Sequence, residues 1–136
     1  MNIVYFKCPK IDINEPCDTG NTPLHAAVNN GKLKIVEILL KSTHLNVNLV
    51  NDSCMNATAL HLAVWHSYDE IAITLVRNKA DPYLIMGSGV NAFELAKEND
   101  NEVLAELLLE FYNETRNVSE SIKNKANNSN DNVDKK

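Results

Sequence analysis

The sequence predicts an all-α solenoid of stacked helix-turn-helix units joined by finger-like loops. Three observations predict it. The stretch Gly20-Asn21-Thr22-Pro23-Leu24-His25-Ala26-Ala27 returns as Thr58-Ala59-Leu60-His61-Leu62-Ala63 36 residues on, and in degenerate form as Asn91-Ala92-Phe93-Glu94-Leu95-Ala96 33 residues later. Each copy is followed by apolar residues at helical spacing. A turn and two short antiparallel helices cannot bury their own apolar faces, so such a unit needs copies to stack on.

The elements follow in order. Phe6 to Asn14 aligns with Leu40 to Asn48 at an offset of 34, so residues 1–14 read as a partial N-terminal cap, a repeat end without its first helix. In the first repeat, Thr22 is a good N-cap and Pro23 fits the first helical position, where a missing N–H costs nothing. Asn30-Gly31 ends that helix. Leu33, Ile35, Val36, Leu39 and Leu40 supply the apolar stripe of a second. The next loop is two residues longer than its counterparts, and Asn56 replaces the turn glycine; Asn tolerates the left-handed conformation, so the turn survives. The second repeat places helices at about Thr58 to His66 and Tyr68 to Arg77. Ile71, Ala72, Leu75 and Val76 stand there where Ile35, Val36, Leu39 and Leu40 stood. The third places a short helix over Ala92 to Glu98 and a longer one over Asn101 to Phe111. Its polar Lys97 to Asp100 suit a terminal layer whose outer side meets water. Leu24, Leu60 and Phe93 are expected in equivalent buried places.

The motif G-x-T-P-L-H-x-A at a period near 33 resembles the ankyrin repeat, strongly in the first copy and weakly in the third. The likeness places repeats at about 20–52, 56–86 and 89–112 within 15–112. Residues 113–136, rich in Asn, Ser and Lys and poor in large apolar side chains, read as a disordered polar tail.

Composition narrows the function. The formal charge is −5; the stretch from Glu114 onward carries +1, leaving −6 on the rest. A body this acidic argues against phosphate-backbone binding. No apolar run approaches a membrane span and the start does not read as a signal peptide. Three cysteines, Cys8, Cys17 and Cys54, are too few for a disulfide framework and fit a reducing compartment, cytoplasmic or nuclear.

No catalytic constellation stands out, and no cofactor is expected. His25, His61 and Glu94 are the candidates for a metal-dependent hydrolase. The competing reading gives the two histidines a structural role, bonding the backbone of the inter-repeat loop. The cysteines lack C-x-x-C spacing and no histidine pair stands at i, i+4, so no metal site is expected. Gly87-Ser88-Gly89 opens no G-x-x-G helix and does not form a phosphate cradle.

The ankyrin resemblance implies a non-enzymatic module that binds another protein on a concave face of loop tips and first-helix surfaces. Carried over by position, that face takes Asp18, Thr19, Asn21, Asn29 and Asn30 from the first repeat. Cys54, Met55, Ala57, Trp65 and His66 follow from the second, then Gly87, Ser88, Val90, Glu98 and Asn99. Trp65, the only tryptophan, is either an interface anchor or packing over a neighbour. Leu84-Ile85-Met86 on the last finger needs a cover or a partner. A narrower similarity runs through Ile13-Asn14-Glu15-Pro16-Cys17 and Thr58 to Val64 to the inhibitors of NF-κB transcription factors. It implies a shortened inhibitor without a degradation signal, as in small ankyrin proteins of insect-associated viruses, that sequesters a Rel-type transcription factor. A rival likeness is to a three-repeat adaptor, the osteoclast-stimulating factor. The cut first repeat also raises self-association through Ile3, Val4 and Phe6.

Overall fold

The computed structural model describes residues 12–117. The expected N-terminal cap up to residue 11, including Ile3, Val4 and Phe6, and the tail from 118 lie outside the described residues. Five helices follow one another as α1 (Pro23–Asn29), α2 (Leu33–Leu40), α3 (Ala59–Trp65), α4 (Asp69–Arg77) and α5 (Ala92–Glu98), and residues 102–117 form α6. Among the described residues no strand forms; Asn51 and Ala57 make one isolated antiparallel bridge. Helix α1 packs on α2 and α3, α3 on α4 and α5, and α2 on α4. Short α1, α3 and α5 thus make an inner row, and α2 and α4 the outer row that α6 continues.

The caps explain why each inner helix starts and stops where it does. Thr22 and Thr58 accept a hydrogen bond from the N–H of His25 and His61, whose rings reach back to the threonine backbone in a reciprocal capping box. Asn91 caps α5 through its side chain alone. All three helices end in a Schellman motif. Gly31 N–H reaches Val28 O and Lys32 N–H reaches Ala27 O; Ser67 and Tyr68, then Asp100 and Asn101, repeat the pair. The left-handed residue is Gly31 in the first repeat but Ser67 (φ 60°) and Asp100 (φ 57°) in the others.

Leu24, Val28, Leu60, Val64, Ile71, Leu75, Val76, Leu95, Leu104 and Leu108 form the continuous core. Two expectations change at its ends. Phe93 does not share the full burial of Leu24 and Leu60: it is half-buried, because among the described residues no further layer covers it. Tyr83 meets it edge-on at 5.0 Å and Tyr112 meets Tyr83 at 5.3 Å, so aromatic rings rather than polar groups alone close this end. Arg77 lies 4.2 Å over the Phe111 ring. At the other end Val36 is the one fully buried residue of α2. Ile35 is 48% exposed, whereas its counterpart Ile71, with a layer on each side, is 3% exposed. The last helix also outruns its expected end at Phe111: residues 113–117, read from sequence as polar tail, are helical.

The loops are tied at the same period. Asn14 donates to His44 O and accepts from Asn46 N–H, each at 2.7 Å, and its equivalent Asn48 accepts from Asp81 N–H at 2.8 Å.

Candidate partner-binding face

The two motif histidines are the joints between layers. At His25, Nδ1 accepts from Thr22 N–H at 3.2 Å, so the ring proton sits on Nε2, which donates to Ala57 O in the next loop at 3.3 Å. His61 repeats the first half, accepting from Thr58 N–H at 3.1 Å. Its Nε2 is buried without a hydrogen-bond partner, although the Leu84 and Val90 carbonyls lie close enough to favour its protonated form. Burial holds the pKa of both rings below the usual 6.5, and the nearby carbonyls oppose that only in part. His25 thus takes the structural role expected for the pair, and His61 takes its capping half. Glu94, the third hydrolase candidate, is exposed, and among the described residues no group of three or more His, Cys, Asp or Glu could hold a metal ion.

The fingers carry the rest. Asn21 Oδ1 accepts from Asn51 Nδ2 at 2.6 Å and ties the first finger to the second. Gly20 (φ +82°) comes so close to that link that a Cβ would lie 2.3 Å from Asn51 Oδ1. In the longer second finger Met55 and Asn56 both adopt left-handed backbone, at φ 52° and 55°, so Asn56 does replace the turn glycine. Met55 has no such preference, and its strained backbone stands at an exposed tip. Met55 O accepts from Gly87 N–H, which draws the third finger onto the second and covers Met86, leaving Ile85 64% exposed.

Between these fingers and α3 lies an apolar cavity of about 170 Å³. Its floor is Ala57, His61, Leu62, Met86 and Leu95, all buried, and its rim is Asn29, Cys54, Met55, Trp65 and His66. Trp65 is 62% exposed and Met55 54%. The rim holds together partly through His66, which stacks on Tyr68 at 5.3 Å and meets Asn29 Oδ1 at 3.3 Å.

Six positions read from sequence as one face, Asn29, Cys54, Met55, Ala57, Trp65 and His66, therefore converge on this cavity. The others do not. Asp18, Thr19, Ser88 and Glu98 are exposed and line no part of it, and Thr19 is already bonded to Asn21 and Cys17. Asn30 donates to Ala26 O and Asn99 to Val64 O, so both finish helix ends. Val90 packs against the core. Sequence reasoning missed most of the floor. Leu62 and Leu95 read as ordinary core and His61 as a structural joint, whereas Ala57 reads as part of the face and Met86 carries a signal as an apolar residue in a loop.

The family model described as ankyrin repeats (3 copies) matches residues 2–86. The chain is 41% identical over 91 residues to the ankyrin repeat and KH domain-containing protein mask-1 of Caenorhabditis elegans, covering 66% of this chain and 3% of that protein. It is 32% identical over 97 residues to a putative ankyrin repeat protein of Rickettsia felis, covering 71% and 32%. It is 39% identical over 87 residues to alpha-latrotoxin-Lg1a of Latrodectus geometricus, covering 64% and 6%. It thus spans a third or less of each of these relatives. The match ends before Asn91, and the third hairpin is carried by its Asn cap, its Schellman end and its packing on α3. With the helix pairs, capping boxes and histidine joint in place and the match covering more than half its length, the chain belongs to the ankyrin-repeat family, typically a non-enzymatic module for protein–protein interaction.

Proposed function

We propose that the chain binds another polypeptide on its concave face, with the cavity beside Trp65 as the anchor point. The observation that carries this is an exposed tryptophan and an exposed methionine on the rim of an apolar cavity with buried walls. Large aromatic side chains beside a preformed apolar pocket supply most of the energy at interfaces, and the surrounding contacts serve mainly to exclude water. Trp65→Ala removes a side chain the core does not use. The variant keeps its melting temperature, because surface changes of this kind cost no more than about 0.5 kcal/mol, while capture of the partner is lost. Unfolding of the variant, or unchanged capture, counts against the proposal.

A finer reading makes the partner a Rel-type transcription factor, sequestered by a shortened inhibitor. Its support is the loop likeness at Ile13 to Cys17, where Glu15, Pro16 and Cys17 are exposed and available to a partner. Titration with a purified Rel-homology region tests it: saturable binding lost in Trp65→Ala supports the reading, and absence of binding removes it. Cys17 and Cys54 are free thiols, which suits action in a reducing compartment, cytoplasmic or nuclear; imaging of a fluorescent fusion is the check.

A further inference from the structure

We infer that the occupant of this cavity is a single phenylalanine side chain carried on a lysine- and arginine-rich segment of another polypeptide. The inference rests on the docking face proposed above and adds the chemistry of what docks.

Size selects the side chain. The cavity measures about 170 Å³, and an apolar protein cavity of about 150 Å³ accepts a benzene ring. One phenyl group therefore fills it, a valine leaves a void and an indole overfills it. The walls favour a ring over an aliphatic chain, since Met55 and Met86 both line the space and thioether sulfur makes favourable contacts with aromatic edges.

Charge selects the flanks. Residues 12–117 hold 15 acidic and 7 basic side chains, and their placement is uneven. Lys34, Arg77 and Arg116 lie on the outer row, and Lys32, Lys41 and Lys79 flank its helices. Lys97 takes the register of Val28 and Val64, which are buried in the core and line no part of the cavity. Asp52, two residues before Cys54 of the rim, and Glu98, at the repeat register of the rim residues Asn29 and Trp65, are both exposed. A face of one sign steers and retains a segment of the opposite sign. The exposed Trp65 ring offers a guanidinium a further cation–π contact.

The test uses the full chain and Trp65 fluorescence, which reports on the cavity rim without interference because the chain has no other tryptophan. Three synthetic peptides serve as probes: a central Phe among Arg and Lys, the same peptide with Ala for Phe, and the Phe peptide with Glu for every base. The first is expected to change Trp65 emission saturably, with an affinity at least about tenfold above either of the others and falling as salt is raised. Asp52→Lys weakens the basic peptide and strengthens the acidic one while the melting temperature holds. Equal affinities for the three peptides, or preference for the acidic one, overturn the inference. If the chain still captures a partner through Trp65 yet ignores all three peptides, the occupant is wrong and the docking face stands. Partner capture that does not depend on Trp65 removes both.

Discussion

The two junctions between layers are built from the same motif and end differently. At the first, His25 Nε2 reaches Ala57 O, Asn21 reaches Asn51, and Gly20 lets the fingers meet closely. At the second, His61 Nε2 finds no partner, Glu94 replaces the histidine of the next copy, and the apolar cavity lies beside the joint. Gly87 N–H to Met55 O and Asn99 to Val64 O hold that junction instead. The difference teaches that one repeat motif yields either a closed seam or an open one. Which results depends on a few loop residues rather than on the helices.

The largest expected effect falls on what both junctions share. Leu60 is 1% exposed in the middle layer, and Leu60→Ala is expected to cost about 2–5 kcal/mol in urea unfolding. Phe93→Ala in the half-covered last layer costs clearly less; equal losses would erase the distinction between inner and terminal layers. Next come the fingers. Gly20 and Gly89 share a positive φ, but a Cβ at Gly20 strikes Asn51 while one at Gly89 meets nothing within 4 Å. Gly89→Ala therefore carries only the backbone penalty, about 1 kcal/mol, and Gly20→Ala exceeds it by at least as much again.

The histidine joint gives a smaller, sharper contrast. His25→Leu and His61→Leu both lose the capping box, but only the first also loses an inter-layer hydrogen bond, so it costs about 1 kcal/mol more. Matching losses mean that the second joint closes in solution. Both rings are held neutral with pKa values below the usual 6.5. Below that pH the unfolded chain takes up protons that the folded chain refuses, so stability is full above about pH 6.5 and declines as pH falls through the depressed values. His25→Leu flattens part of that decline in melting curves recorded between neutral and mildly acid pH. The smallest effect is a gain. Ser67 sits in the left-handed position that Gly31 fills in the first repeat, and Ser67→Gly should raise stability by up to about 1 kcal/mol.

The helices were legible because their signals are local. Thr22-Pro23 and Thr58 announce caps, Asn30-Gly31 announces a stop, and the spacing of Ile71, Ala72, Leu75 and Val76 announces a buried stripe. Convergence of the cavity was only half legible. Its rim residues, Asn29, Met55, Trp65 and His66, stand at positions a repeat register exposes. The floor depends on how far one finger leans on another, through Met55 O and Gly87 N–H, and no short-range pattern encodes that lean. Likewise Asn21, Asn30 and Asn99 stand at positions a repeat register places on the face, but their amides are taken by neighbouring groups, a fact that depends on three-dimensional reach. Phe93 misled for a related reason: a motif position specifies burial only when another layer follows.

The most direct test is acrylamide quenching of Trp65 fluorescence, in the chain alone and with its captured partner bound. Ready quenching is expected in the free chain, as for a side chain 62% exposed, and strong protection in the complex. A tryptophan already shielded in the free chain, or quenched equally in the complex, would contradict docking at the cavity beside Trp65.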